Sequence, residues 1–380
     1  MERWKVMKAD IITMHMINNY GSVLQTYATC EMFRMVGIEP EIIDYYPERL
    51  VGYGSLKQLY IDAKPFHKNT IECLIVAAVN WPSYKLQNRV FKPFIRKYIP
   101  LSNRYESMSE LESKPPVADI YCTGSDQVWN NFLDANKQFD RAYFLDFGDK
   151  KTKRISYAAS FGRSDFSDEE KKIINIYLQR YDAISTREIT GLSIIEKSGV
   201  SLQQCCLDPT FMIPREKWAQ LAEPIKRKNY ILVYQLHEDS ATSNIAIELG
   251  KALGIEVIRI STALHRRIHG GKTIMLPTVG EFVSYVQKAT LVVTDSFHAT
   301  AFSINLNVPF VSVKWKMFND RIDTILDIAG LQYRSVKNVD EAKKASRKKI
   351  DYDEVNLRVA IEKRKSFDFF ERAIAYNEKR

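Results

Sequence analysis

Residues Ala289–Val313 read ATLVVTDSFHATAFSINLNVPFVSV, and the order of side-chain types in that stretch decides the fold class. Leu291–Thr294 is a short β-branched apolar run, the composition of a strand buried on both faces of a parallel sheet. Asp295-Ser296-Phe297-His298 interrupts it with side chains that suit a loop and a helix N-cap. Ala299–Leu306 resumes at helical spacing, Asn307 closes the helix, Pro309 marks the exit, and Phe310–Val313 is a second strand. The unit is strand–loop–helix–strand, with its polar residues at the carboxyl end of the first strand. In open α/β sheets ligands bind at that end, against the free N–H groups of the following helix. A lone histidine near a helix start is more often a hydrogen-bonded structural residue, yet its ring can hold or release a proton near neutral pH.

The chain around this unit has 380 residues, material for two ordinary domains. Its 45% hydrophobic and 27% charged residues are the proportions of a soluble globular protein. Cys30, Cys73, Cys122, Cys205 and Cys206 show neither CxxC nor Cys/His metal spacing, so they read as buried thiols in a reducing compartment and no metal site is expected. No signal peptide is visible, and the longest apolar segment, Cys73–Val79, falls far short of the roughly 20 residues that span a bilayer. A cytoplasmic location is therefore expected. The formal charge of +9 is spread along the chain, densest at Lys343–Lys349. Without a zinc finger, an RNP-type motif or a Gly/Arg tract, no nucleic-acid partner is expected. Anionic small substrates or an anionic lipid surface account for the charge as well.

Strand and helix alternate on both sides of the opening stretch. Ala9–Met14, Glu41–Tyr45, Ala118–Thr123, Arg154–Ala159 and Ala183–Thr186 read as strands, with helices over Ser22–Met35, Asp168–Arg180 and Thr190–Lys197. Pro209–Lys228, rich in proline and charge, reads as a linker. Beyond it Tyr230–Gln235 and Glu256–Ile260 are strands, and Thr242–Leu253, Val279–Lys288 and Phe318–Ile328 are helices. Pro47–Pro116 is less regular and is expected to form helices laid on the sheet or over the site, and Ser261–Pro277, with His265, Arg266, Arg267 and His269, reads as a mobile basic loop. The amphipathic helix Val355–Tyr376 suits either packing across the protein, the ordinary fate of such a stripe, or lying on a membrane. GxGxxG and the P-loop lysine are absent, so neither nucleotide fingerprint is supported. The expected fold is α/β: two Rossmann-like domains, residues 1–215 and 216–340, in a glycosyltransferase-B-like arrangement, with the C-terminal helical segment 341–380 packing back across them.

Seven segments in order resemble the polysaccharide pyruvyl transferase family. They are NNYGSVLQTYA (Asn18–Ala28), TGSDQVWN (Thr123–Asn130), ISYAASFG (Ile155–Gly162), ISTRE (Ile184–Glu188), LDPT (Leu207–Thr210), TDSFHATAFSI (Thr294–Ile304) and NDR (Asn319–Arg321). The resemblance implies a cytoplasmic enzyme that moves the pyruvyl unit of phosphoenolpyruvate onto a sugar of a cell-surface or exopolysaccharide precursor, forming a ketal. The acceptor would be a glycan or lipid-linked sugar, no cofactor beyond the donor is implied, and peripheral contact with the inner face of a membrane is compatible with it. On this resemblance the N-terminal domain is the acceptor side and contributes Arg187, and the C-terminal domain is the donor side.

Phosphoenolpyruvate carries a phosphate and a carboxylate, which call for guanidinium forks and helix N-terminal amides. Arg187, Ser296, Phe297 and Arg321 are the candidates for that role. His298 is the candidate general acid and Asp126 the candidate base or acceptor ligand. Asn19, Tyr20, Gln25, Ser125, Gln127, Trp129 and Asn130 are the acceptor-side candidates, with Trp129 offering a flat face to a sugar ring. Ser296 stands where some family members carry arginine, so Arg321 or the Arg266/Arg267 loop must complete the donor clamp. Ala299 stands where many have glycine. Two rival readings are a glycosyltransferase-B enzyme with a nucleotide-sugar donor and a non-catalytic partner in a polysaccharide-assembly complex.

Overall fold

The computed structural model describes residues 6–47, 55–64, 69–131, 138–237, 240–264, 270–315 and 319–375. Short apolar runs flanked by helices cannot form hairpins with each other, and they pair instead as parallel strands. The first sheet comprises β1 (Lys8–Ile12), β2 (Glu39–Tyr45), β3 (Leu101–Tyr105), β4 (Ile120–Thr123), β5 (Lys153–Ser156), β6 (Ala183–Thr186) and β7 (Leu202–Cys205). Its order is β3-β2-β1-β4-β5-β6-β7. The second comprises β8 (Tyr230–Tyr234), β9 (Glu256–Ser261), β10 (Lys272–Met275), β11 (Leu291–Thr294), β12 (Phe310–Val313) and β13 (Ser335–Val336), in the order β10-β9-β8-β11-β12-β13. All the pairings are parallel, for example Ile12 with Thr123 and Thr294 with Tyr234. In both sheets the order reverses beside the first strand, between β1 and β4 and between β8 and β11. Such switch points open the crevices in which α/β sheets hold ligands.

One hydrophobic cluster runs through both halves and includes Tyr20, Phe91, Trp218, Phe282, Phe302 and Phe370. Tyr20 stacks on Phe282 with ring centroids 4.3 Å apart and planes 4° from parallel, and its hydroxyl donates to the Pro277 carbonyl at 2.6 Å. Gln87 Nε2 donates to the Thr262 carbonyl at 2.9 Å, and the Leu264 amide donates to Ser83 Oγ at 2.9 Å. The helix Tyr352–Ala375 returns across the protein. It packs on the helix Asp320–Ala329, and further along Phe370 meets Phe33 at 4.8 Å and Tyr157 at 5.4 Å, edge to face. Ser366 Oγ accepts from the Leu207 amide at 2.9 Å. The apolar stripe read from this segment is thus used inside the protein.

Two expectations need correction. The stretch read as a linker is folded: Pro209–Met212 and Arg215–Leu221 are helices with Phe211, Met212 and Trp218 buried, the first packed on the helix Tyr20–Met35. The less regular region does form helices, as expected: Leu56–Ala63 and the 29-residue Thr70–Tyr98, the latter running through Pro82 and Pro93. In Ser261–Pro277, Lys272–Met275 pairs with β9 as a strand, while His265, Arg266, Arg267 and His269 lie outside the described residues. Among the described residues no helix is long and apolar enough to cross a membrane.

Candidate active site

After β4 the chain turns at Asp126, whose φ of 84° is uncommon for any residue but glycine, aspartate and asparagine being the more tolerant exceptions. The turn is held because Asp126 continues a parallel bridge with Ala159, its carbonyl accepting from the Ser160 amide at 3.0 Å. Its carboxylate accepts from Ser22 Oγ at 2.7 Å and from the Gln127 amide at 2.9 Å. Arg187, at the end of β6, donates from Nη1 to Asp208 Oδ2 at 2.9 Å, and its Nη2 lies 3.8 Å from Asp126 Oδ1. Ser125 Oγ donates to the same Asp208 oxygen at 2.9 Å. The other Asp208 oxygen caps the helix Pro209–Met212, accepting from the Thr210 amide at 2.9 Å and its hydroxyl at 2.8 Å. Four loops of the first half therefore converge on one buried network.

The second half brings His298 to it. Ser296 caps the helix Phe297–Asn305, accepting from the Ala299 amide at 3.4 Å, and this sets His298 in the first turn. His298 Nε2 lies 3.8 Å from Asp208 Oδ2 with no hydrogen-bond partner. Its Nδ1 side presses on Gly21, where a Cβ would lie 2.3 Å from the ring nitrogen. Glycine at that position is a steric requirement of the imidazole's seat. Phe297 supplies a ring 4.3 Å below the Arg187 guanidinium and 5.9 Å from that of Arg321. Gln127, with its amide oxygen turned toward Arg321, accepts from both terminal nitrogens at 3.2 and 3.1 Å.

Burial alone would push Asp126 and Asp208 up, yet His298 and Arg187 beside them hold both below the ordinary carboxylate value. Burial wins at His298, whose imidazole is held below its usual 6.5 despite the two aspartates. Burial and the neighbouring Arg187 bring Arg321 down to about 10, so its charge persists at neutral pH under penalty. Burial raises Glu188, whose Oε1 accepts from the Phe161 amide at 2.7 Å and Ser160 Oγ at 3.1 Å. The ISYAASFG segment thereby acts as a cradle for a carboxylate.

A cavity of about 230 Å³ opens between the halves. Asn19, Ser22, Asp126 and Gln127 line it from one side, and Asp295, Ser296, Phe297, His298 and Arg321 from the other. His237 and Trp315 line it too, their rings stacked at 4.6 Å, with His237 Nδ1 3.0 Å from Asp295 Oδ2. Arg187, Asp208 and Ser125 form a layer behind the wall. Among the described residues no group of three or more His, Cys, Asp or Glu is placed to hold a metal ion.

Several acceptor-side candidates serve the scaffold instead. Trp129 is fully buried between Phe144 and Phe161, with Nε1 donating to the Tyr143 carbonyl at 3.1 Å, and no ring face is free for a sugar. Gln25 is fully buried and donates to Thr13 and Thr26 hydroxyls at 2.9 and 3.0 Å. Tyr20 is spent on the contact with Phe282, and Ser125 on Asp208. Asn130 is buried with its side-chain amide 2.8 Å from that of Gln127, one step behind the cavity. Asn19 and Gln127 do reach the wall. Sequence reasoning missed Ser22, Gly21, Asp208, Glu188, Asp295, His237 and Trp315. Asp295 and His237 had a usable signal, since both follow strands at the second switch point.

No curated protein gives a significant sequence match. Among solved structures, UDP-N-acetylglucosamine 2-epimerase from Rickettsia bellii superposes with a TM-score of 0.52 at 13% identity, covering 98% of this chain and 100% of that one. A Listeria monocytogenes protein assigned the same name has a TM-score of 0.52 at 9% identity, covering 96% and 90%. At such identities the likeness is one of fold, two Rossmann-like domains in the glycosyltransferase-B arrangement. The family model for polysaccharide pyruvyl transferases matches residues 19–317. That span takes in the converging loops of the first half and the histidine turn of the second, and the chain belongs to the polysaccharide pyruvyl transferase family of enzymes.

Proposed function

We propose that the cleft binds phosphoenolpyruvate and transfers its pyruvyl unit, as a ketal, to two hydroxyls of a sugar in a cell-surface or exopolysaccharide precursor. The observation that carries this reading is a pair of buried donors without acceptors on residues of the cavity wall: Arg321 Nε and, in its protonated form, His298 Nε2. Buried guanidinium N–H groups are rarely left unpaired, and a compact phosphate and carboxylate together answer them. Residues 1–215 form the acceptor side and 216–340 the donor side. Arg321 and the capped helix start at Ser296–Phe297 face the donor, and Arg187 acts from behind the wall.

Arrival of the anion offsets the burial that holds His298 down, so the imidazole takes up a proton. It delivers that proton to C3 of the enol while a sugar hydroxyl attacks C2 and passes its own proton to Asp126. The C2–O bond to phosphate then breaks and the second hydroxyl adds at C2. Of the two hydroxyl protons, one replaces the proton given to C3 and the other leaves with phosphate, so one donor and one diol yield one ketal and one inorganic phosphate. The scheme calls on no metal or further cofactor. Because phosphoenolpyruvate is a cytoplasmic metabolite, the reaction is placed there.

The test is thermal stabilisation by phosphoenolpyruvate without acceptor. At a hundredfold excess over Kd the wild type gains about 2.7 kcal/mol, a clear rise in Tm. Arg321→Ala should lose that rise. A rise with UDP- or GDP-sugars in place of phosphoenolpyruvate would transfer the reading to a glycosyltransferase. Phosphate release that needs both donor and glycan then completes the assignment.

A further inference from the structure

Six large apolar side chains stand in solvent on two helices that pack together. Leu56 and Ile61 lie on the helix Leu56–Ala63, and Ile71, Leu74, Ile75 and Val79 on the first half of Thr70–Tyr98. Each is between 42% and 64% exposed. Positions 71, 74, 75 and 79 fall on one helical face, while Cys73 and Ala77 bury the other. Exposed apolar side chains gathered along a helix face in this way mark a place that meets another apolar phase.

Charge decides which. From residue 56 to 98 the sequence carries eight Lys or Arg against two Asp or Glu, six of the nine net positive charges of the chain. Lys57, Lys64, Lys85 and Arg89 are exposed on these helices. Lys85 Nζ sits 3.7 Å over the Trp81 ring and Lys64 Nζ 4.9 Å over Tyr60. Aromatic rings and lysines at the rim of an apolar stripe are the arrangement found at a membrane–water boundary. We propose that this helical pair docks on an anionic lipid bilayer. The bilayer supplies both an apolar layer and a negative surface, each worth more to a stripe that carries the other.

The same helix connects the surface to the cleft. Beyond Pro82 it is tied to the second half through Ser83 and Gln87, and Asn88, Lys92 and Arg96 line a second cavity of about 310 Å³. The loop after β1 lines that cavity with His15, Met16 and Asn18 and the active-site cavity with Met14, Ile17 and Asn19. One helix and one loop thus run from the stripe to the walls of both cavities.

The test uses the full chain and no activity, so its outcome is separate from that of the proposed reaction. Protein is floated with vesicles of phosphatidylcholine alone and with about 30% phosphatidylglycerol, at low and high salt. Wild type should float with the anionic vesicles, and less so at high salt. Leu74→Glu with Ile75→Glu, both solvent-exposed positions, should cut the partition on the order of tenfold with an unchanged Tm. Lys85→Gln with Arg89→Gln should weaken it at low salt. Absence of binding to anionic vesicles overturns the proposal, as does equal binding to phosphatidylcholine alone or equal binding by the Glu variant. A wild-type dimer that the Glu variant dissolves, without vesicle binding, also overturns it and assigns the stripe to a second copy of the chain.

Discussion

Gly21 and His298 come from different sheets, and the imidazole occupies the space that any other residue at 21 would fill. Gly21→Ala places a methyl 2.3 Å from Nδ1, so the ring must move by about an ångström. Such a displacement costs roughly a hundredfold in rate when the ring is the proton donor. The expected signature is a fall in kcat with a modest change in Tm, read by phosphate release and melting together; full activity in Gly21→Ala would remove His298 from the chemistry. Arg187 poses the opposite case. Arg187→Ala leaves Asp208 buried without its cation and should destabilise the fold by about 3 kcal/mol. Adding Asp208→Asn should recover most of that stability in urea unfolding without restoring the donor-induced melting shift.

The long C-terminal helix is held by its aromatic end. Phe370 is fully buried against Phe33 and Tyr157, and Phe370→Ala should cost about 3–5 kcal/mol, measured as a lowered urea midpoint. Elements of this kind were legible wherever an apolar run or stripe met the core. β11, β12 and the helix after Ser296 follow the hydrophobic pattern residue by residue. β3 (LSNRY) and β7 (LQQC) lie at the sheet edges and are no more than half-buried, so they carry no such pattern. Helices were expected within 47–116, but the bounds of Thr70–Tyr98 were hidden because its first half turns apolar residues outward and two prolines punctuate it. In the site, motif position revealed the right loops but not which side chain faces the cavity. Trp129 and Gln25 look like ligand residues because large polar-tipped side chains serve a buried scaffold as well as a substrate. Ser22 and Asp208 were missed because a lone serine or an Asp-Pro pair reads as an ordinary helix start.

At the scale of the molecule, the buried site sets the acid limit of stability. Asp126 and Asp208 are held below 3.8, so their contribution is complete above that value and is lost as pH falls through their lower folded values. His298 acts in the same direction in a higher window. Its folded form protonates later than the unfolded chain, so stability declines as pH falls below 6.5. Urea midpoints from pH 8 to pH 3 should show two stages, and His298→Asn should erase the upper one. An upper stage that survives the substitution would assign it to another group.

The return of the last helix onto the first sheet also bears on how the protein is made. Phe33 and Tyr157 leave the ribosome early, yet the ring that covers them belongs to Phe370. At the usual 5–20 residues per second, roughly ten to forty seconds pass between synthesis of Tyr157 and of its cover. Over that interval the nascent first half shows apolar surface that only the final helix can close. Its yield should therefore depend on chaperones that hold early chains, and a chain stopped before Tyr352 should be insoluble even though every residue of the cleft has been translated.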